Sequence, residues 1–481
     1  MKTAIAVTLA LGALVAGTLG GWTGSPATAA SLPAPPGLAA TEVSFRGSGG
    51  LTLHGTVLAP KAPKAANGTG AGRAGVVLIT GSGSGVPREH LLTEATEFAR
   101  RGLAVLVYDK RAAGYTRFRR SYSELADDAL GAVRVLRTQP GVDPAKVGVW
   151  GLSEGGWVAP LAASRSPDVA FVIVVGGNAM TPIRQQTWNE TSALRRRGVS
   201  GSLVDRAKPG LARLAADAGL FAEARYDAQA VLERVHQPLL GIWGGRDLQT
   251  PPEDNPPLFA RALRRGGNIH YTFRFFAAAD HAAHQTPDGG LTRGASLAPG
   301  YADLMTSWVG AVTSGRPPVA DAPAPPKQDY PSVEVPPSAW WESPWAQLTA
   351  MALFVVAFAA YPLVALVRRV RGRRTAAVSR WARLLAGAGL LAPLGTFVYL
   401  FYLVAAGRSP DPGPVIGGRP VPWLALQGLA AAAAAAAAAT AAAWWRARRA
   451  VRAGERVRLG LLLAAGAVFV AWAFSWGLLL P

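Results

Sequence analysis

The sequence contains no cysteine, and this absence excludes several kinds of site. Without thiols the chain can form no disulfide, no thiolate metal site and no cysteine nucleophile. Acidic residues are also scarce, because 29 Asp and Glu stand against 49 Lys and Arg and give a formal net charge of +20. No obvious cluster of metal-ligating residues is present either. These absences exclude a disulfide-rich domain and any cysteine-dependent enzyme.

The excess of positive charge is concentrated in two short segments. Seven arginines lie within residues 368–383 and six within 446–458, and both segments flank apolar stretches. Cations in this position are typical of membrane topology signals, since cytoplasmic loops are enriched in Lys and Arg. We therefore do not interpret the charge as a nucleic-acid surface, and we expect no nucleic-acid partner. The abundance of Ala, Arg, Pro and Gly, with little Lys, indicates a bacterial source.

Four apolar segments near the C-terminus predict a membrane region. They cover residues 346–367, 384–406, 423–445 and 459–480, each long enough to cross a hydrocarbon core of about 30 Å. No ionisable residue lies in the middle of a segment, which argues against transport or proton relay. The two arginine-rich loops between these segments are therefore predicted to be cytoplasmic. Residues 1–30 have the pattern of a signal peptide, with Ala27-Thr28-Ala29 as the cleavage motif and an uncleaved anchor as the alternative.

The two topology signals agree, because both place the intervening part of the chain outside the cytoplasm. We therefore expect an integral protein of the bacterial cytoplasmic membrane with an extracytoplasmic domain. Residues 315–345 carry nine prolines between Pro317 and Pro344 and predict an extended linker. Trp340, Trp341 and Trp345 at its end resemble an interfacial belt.

Residues 41–314 predict an α/β domain. Short apolar strands alternate with helix-like segments such as Tyr122–Arg137, which is typical of a mostly parallel sheet covered by helices on both faces. An antiparallel hairpin is expected before them, around Gly47-Ser48-Gly49-Gly50. Residues 178–236 are polar, basic and helix-like. They predict a helical cap over the site, with ordinary crossover helices as the alternative.

The sequence Gly151-Leu152-Ser153-Glu154-Gly155 follows an apolar strand and precedes a helix. A G-x-S-x-G pattern between a strand and a helix is typical of a nucleophile elbow, in which the serine hydroxyl stands clear of the sheet. The two glycines let neighbouring backbones approach. We therefore predict that Ser153 is a nucleophile, whereas a plain glycine-rich turn is the alternative.

A nucleophilic serine needs a histidine base and a carboxylate that orients it. Asp247 and His281 each follow a predicted strand, in the order serine, acid, histidine. His284 is the competing base. The competing acids are Glu253, Asp254 and Asp280.

An oxyanion hole requires two backbone N–H donors. The first is expected from Glu154, which follows the nucleophile. The second is expected from Ser82 or Gly83, in the glycine-rich loop Gly81-Ser82-Gly83-Ser84-Gly85 after a predicted strand. A simple flexible turn is the alternative for this loop.

Together these motifs resemble the α/β-hydrolase superfamily, and most closely its bacterial branch of dienelactone-hydrolase-like and serine-aminopeptidase-like esterases. The resemblance rests on Leu78-Ile79-Thr80-Gly81-Ser82-Gly83, on Tyr108-Asp109-Lys110-Arg111, on the elbow, and on the pair of Asp247 and His281. It covers residues 41–314 and leaves out the membrane region. Thr80 replaces the histidine usual before the oxyanion loop, and Ala112-Ala113-Gly114 replaces Gly-x-Gly.

The resemblance implies a Ser-His-Asp hydrolase that cleaves a carboxylic ester, thioester or amide through an acyl-enzyme and needs no metal or organic cofactor. We expect a small-molecule or lipid-like ester as substrate. Two alternatives remain open: an acyltransferase that acts on cell-envelope acceptors, and an inactive hydrolase fold that serves as a binding ectodomain. Four spans exceed what anchoring requires, which suggests a partner protein in the membrane.

Overall fold

The computed structural model describes residues 32–61, 72–116, 118–372, 380–405, 407, 411–447 and 453–481. The predicted signal peptide, residues 1–30, and part of each arginine-rich loop lie outside the described residues. The described chain comprises an α/β domain, an extended segment and four long apolar helices.

An eight-stranded sheet forms the centre of the α/β domain, in the order β1-β2-β4-β3-β5-β6-β7-β8. The first two strands form the predicted antiparallel hairpin, β2 pairs antiparallel with β4, and all other neighbours are parallel. The predicted fold class is therefore confirmed. The strands are β1 Leu38–Arg46, β2 Thr52–Pro60, β3 Arg73–Ile79, β4 Ala104–Tyr108, β5 Val142–Leu152, β6 Val172–Val175, β7 Leu239–Gly244 and β8 Tyr271–Phe276.

Helices cover both faces of this sheet, because the central strands are apolar on both sides and two hydrophobic cores result. The helices are α1 Leu92–Arg100, α2 Tyr122–Arg137, α3 Gly155–Ala163, α4 Pro182–Arg196, α5 Lys208–Asp217, α6 Ala228–Leu232, α7 Asn255–Arg265 and α8 Tyr301–Thr313. Helix α2 has the predicted bounds. Its first residue follows Ser121, whose side chain caps the helix by accepting a hydrogen bond from the Glu124 N–H.

The segment between β6 and β7, called the cap below (residues 178–236), contains α4, α5, α6 and a π-helical turn over Leu203–Ala207. The π-helical turn runs directly into α5, which begins at Lys208. Pro209 lies in the first turn of α5, where the missing N–H of a proline is tolerated.

The proline-rich segment lies on the α/β domain. The Asp321 backbone bonds to β8: its carbonyl accepts from the Phe273 N–H at 2.8 Å and its N–H donates to the Tyr271 carbonyl at 3.0 Å. Further along, the Trp188 indole N–H donates to the Tyr330 carbonyl at 2.7 Å. The predicted linker is therefore extended, but it contacts both the sheet and the cap.

Four helices after this segment are long and apolar enough to cross a membrane. They are α9 Pro344–Val370, α10 Arg380–Ala405, α11 Val421–Ala447 and α12 Ala453–Ser475. A short hairpin of β9 Val415–Ile416 and β10 Arg419–Pro420 precedes α11. Arg368 and Glu455 form an ion pair at one end of the bundle, whereas the opposite end contacts the cap. The arginine-rich connections therefore leave the helices at the end remote from the α/β domain.

Candidate active site

Ser153 lies in the sharp turn between β5 and α3, and its φ angle is +57°. Few residues other than glycine adopt this left-handed conformation, so the turn carries backbone strain of the kind expected at an elbow. Glycine is required at positions 151 and 155 because neighbouring backbone atoms lie too close for a side chain. A Cβ on Gly151 would lie 2.0 Å from the Gly155 carbonyl oxygen, and one on Gly155 would lie 2.4 Å from the Ile79 carbonyl oxygen.

Asp247 and His281 meet at the carboxyl ends of β7 and β8. The His281 Nδ1 lies 2.8 Å from the Asp247 Oδ2, and both side chains are buried. The His281 Nε2 is also buried and has no hydrogen-bond partner in the described structure. No direct hydrogen bond between Ser153 and His281 is present among the described residues. A histidine oriented by a carboxylate, with its other nitrogen free, has the arrangement that a general base requires.

The Asp247 carboxylate is held by a residue that sequence reasoning missed. Thr250 donates to it twice, from its N–H to Oδ1 at 2.9 Å and from its hydroxyl to Oδ2 at 2.5 Å. The Gln249 N–H adds a third bond at 2.7 Å. Because these three hydrogen bonds fix the orientation of the carboxylate, this turn sets the position of His281. The sequence signal for this turn is an Asp followed three residues later by a Thr.

The competing histidine is engaged elsewhere. The His284 Nε2 lies 2.9 Å from Glu94 and its Nδ1 lies 2.9 Å from the Gly294 carbonyl. Asp280 accepts from the N–H groups of Ala282 and His284. Asp280 therefore shapes the loop that carries His281, and in the described part of the chain it makes no hydrogen bond to the imidazole.

Glu253 and Asp254, the other competing acids, bind the proline-rich segment. The carboxylate of Glu253 accepts from the Gln328 N–H at 2.9 Å, and that of Asp254 accepts from the Ser332 N–H at 2.9 Å. Neither bonds to His281, so these acids position the segment after the α/β domain.

The glycine-rich loop after β3 lies against the nucleophile. A Cβ on Gly81 would lie 3.3 Å from the Ser153 Cβ. The Gly83 N–H donates to the Tyr115 hydroxyl at 3.2 Å and is therefore occupied. Among the described residues, the N–H groups of Ser82 and Glu154 have no hydrogen-bond partner. Of the three predicted donors, these two are therefore available to a ligand.

A buried cluster of charges surrounds the Glu154 side chain. It pairs with Lys110, with the Arg120 Nη1 at 2.8 Å and with the Tyr115 hydroxyl at 2.9 Å. Burial by itself would raise the pKa of Glu154, but the charges of Lys110 and Arg120 outweigh it and hold that pKa below its usual value. Burial and the Glu154 charge raise the pKa of Tyr115 to about 12.

Lys110 also connects this cluster to the glycine-rich loop, since its Nζ donates to the Gly81 carbonyl at 2.7 Å. The two loops that carry the available N–H groups are therefore held by one lysine. The Asp-Lys-Arg block was recognised in the sequence, but its geometric role was not, because the loops meet only in the folded chain.

Ser153 lines a cavity of about 210 Å³ together with Ser82, Trp157 and residues of the cap. In the part of the chain that the structure describes, no group of three or more His, Cys, Asp or Glu side chains is arranged to hold a metal ion.

Comparison with known proteins agrees with this architecture. Residues 93–293 match the model of the prolyl oligopeptidase family. A polyketide transferase from Penicillium crustosum is 34% identical over 139 residues, which cover 28% of this chain and 43% of that protein. A thiohydrolase from Aspergillus aculeatus is 30% identical over 155 residues, or 31% of this chain and 44% of its own length. The chain thus spans less than half the length of these relatives.

Solved structures also resemble the α/β domain. A putative dienelactone hydrolase from Klebsiella pneumoniae gives a TM-score of 0.38 at 15% identity and covers 57% of this chain and 98% of its own. An acylaminoacyl peptidase from Pyrococcus horikoshii gives a TM-score of 0.37 at 18% identity, and the match covers 53% of this chain and 39% of that one. The sheet order and the strained elbow are those of the α/β-hydrolase fold, and the family match over residues 93–293 agrees with that fold. The described chain also carries four candidate membrane-spanning helices.

Proposed function

We propose that the protein is a membrane-anchored serine hydrolase that cleaves a carboxylic ester or a related acyl bond through Ser153, His281 and Asp247. The observation that supports this proposal is the buried pair of His281 and Asp247, in which the His281 Nε2 has no partner among the described residues. The pair follows β7 and β8 at the same edge of the parallel sheet at which β5 ends in the strained turn of Ser153. A structural histidine would have both ring nitrogens satisfied, as His284 does.

The proposed reaction has two steps. The Ser153 Oγ attacks the acyl carbon while His281 takes its proton, and the C–O bond to the leaving alcohol breaks as His281 returns that proton to it. Water then attacks the acyl-enzyme, His281 accepts the proton of the water, and Ser153 regains a proton as the acid leaves. Asp247 holds the imidazole and stabilises its charged form.

In this proposal the oxyanion formed in each step accepts hydrogen bonds from the N–H groups of Glu154 and Ser82. Gly83 has a different task, because its N–H fixes Tyr115. Two donors of this kind stabilise charge that develops only in the transition state, and removal of one such donor costs about 3–4 kcal/mol.

The first test is active-site labelling of the full-length protein with a short-chain fluorophosphonate. We expect labelling of the wild type and none of Ser153→Ala. Ser307→Ala is the matched control, since Ser307 is an exposed serine on α8 and its loss should change nothing. If a folded wild type remained unlabelled, the proposal would fail and an inactive binding ectodomain would be the better description.

We also propose that the α/β domain is extracytoplasmic in a bacterial cytoplasmic membrane. The proposal is supported by the arginine-rich connections at the remote end of the bundle, together with the enrichment of such loops in the cytoplasm. Because the chain has no cysteine, Ser307→Cys and Gly372→Cys provide clean probes. An impermeant maleimide should label the first in intact cells and the second only after permeabilisation. The reverse pattern would refute this orientation.

A second candidate is acyl transfer. One relative is named a transferase and another a thiohydrolase, and both outcomes follow from an acyl-enzyme that either an acceptor or water resolves. Product analysis with and without an added alcohol distinguishes them. Transfer predicts an ester of the added alcohol in preference to the free acid.

A further inference from the structure

The cavity beside Ser153 is completed by the candidate membrane helices. Val404, Ala405 and Gly407, at the end of α10 and just after it, line the same cavity as Ser153 and Ser82. If the four helices served only as an anchor, none of their residues would be expected in the cavity beside Ser153.

The cap and the membrane helices share one hydrophobic core. Apolar residues between Leu194 and Leu211 pack with buried residues of all four long helices, among them Phe354, Leu385 and Trp423. The two cores beside the central sheet include no residue of these helices. The middle of the cap therefore packs against the four long helices as well as forming part of the hydrolase domain.

Hydrogen bonds fix this junction. The Ser200 N–H donates to the Gly418 carbonyl at 2.7 Å. The buried hydroxyl of Ser202 accepts from the Trp423 indole N–H at 3.2 Å and lies 3.3 Å from the Leu480 carbonyl. Because buried polar groups are costly to separate, the bundle sets the position of the cap above Ser153.

The cavity lining indicates a neutral polar group on one side. Gln185, Gln186 and Asn189 of α4 offer amide donors and acceptors. The three charged residues of the described lining are paired: Arg120 with Glu154, and Glu190 with Lys208 at 2.5 Å. A ligand with a net charge would therefore find no counter-ion free for it.

Another part of the lining is apolar and comes in part from the end of α10. Val404 and Ala405 lie one turn beyond Phe401 and Tyr402, which are exposed on α10, a helix apolar enough to span. Trp157 and Phe221 extend the apolar lining within the cavity. Apolar side chains of α10 therefore lie both on its exposed face and, one turn further on, in the cavity that Ser153 lines.

We propose that the membrane helices form part of the substrate site, and that the substrate is a bilayer-resident acyl ester with an uncharged polar headgroup. The chain would lie along the end of α10 and the headgroup against the amides of α4. This inference depends on the proposed serine hydrolase, because it assigns the substrate class of that same site.

The test uses the full-length protein in phosphatidylcholine vesicles. We compare hydrolysis of three esters: monooleoylglycerol in the bilayer, oleoyl-lysophosphatidylglycerol in the bilayer, and 4-nitrophenyl butyrate in water. The decisive variant is Ala405→Trp, which adds bulk in the apolar lining. Leu391→Trp is its control, on the exposed face of the same helix.

We expect Ala405→Trp to lower the ratio of monooleoylglycerol hydrolysis to butyrate hydrolysis about tenfold, as loss of contact with roughly two buried methylenes would. Continued fluorophosphonate labelling would show that the site is folded, and Leu391→Trp should keep the wild-type ratio. The wild type should also prefer monooleoylglycerol to its anionic counterpart.

Two results would overturn the inference. One is an equal effect of Ala405→Trp on the bilayer and aqueous esters. The other is a preference for the anionic lipid. If the protein is still labelled, either result contradicts the substrate class but not the proposed serine hydrolase. A wild type that is neither labelled nor active on any of the esters would refute both the proposed function and this inference.

Discussion

Lys110 provides the sharpest test of how the site is held. It pairs with buried Glu154 and donates to the Gly81 carbonyl, and its side chain is only 5% exposed. Lys110→Met keeps the aliphatic stem but removes the charge. Breaking a buried ion pair costs about 3–5 kcal/mol, and we expect about 3 because Arg120 still shares the Glu154 charge. For a domain of this size that is a fall in the thermal midpoint of roughly 6–12 °C.

A double-mutant cycle with Glu154→Gln measures the pair itself, using thermal loss of fluorophosphonate labelling in the full-length protein. The combined variant should be less destabilised than the sum of the single variants, by about 1–3 kcal/mol. Lys146→Met, which removes a surface pair with Asp143, should have little effect. Additive effects of Lys110→Met and Glu154→Gln would refute the reasoning.

Two further predictions concern stability. Burial alone would lower the pKa of His284, but its bond to Glu94 raises that pKa above 6.5. The pair therefore adds stability below about pH 6.5 and loses it as pH rises through the folded-state pKa, so the thermal midpoint should fall across neutral pH in the wild type and not in His284→Asn. Gly155→Ala should cost about 3 kcal/mol, because its Cβ would meet the Ile79 carbonyl. Gly310→Ala, with open space around it on α8, should be neutral or stabilising in the same melting assay.

Local sequence patterns predicted the α/β domain well. Apolar strands need cover on both faces, so their alternation with helices indicated the parallel sheet, and the G-x-S-x-G pattern indicated the strained turn at Ser153. The chain order of Asp247 and His281 was readable too, because the carboxyl ends of parallel strands meet at one edge.

The sequence by itself therefore determined the class of domain and the candidate membrane helices, because each depends on local periodicity. It also led to the prediction of Ser153, Asp247 and His281 as a triad, which depends on motif and chain order. Only the tertiary structure decided which contacts surround them. The pairing of Lys110 with Glu154 and the occupation of the Gly83 N–H depend on loops that meet in space. The approach of α10 to Ser153 is the contact that was least accessible to sequence reasoning. It joins segments about 250 residues apart through packing that no local pattern encodes.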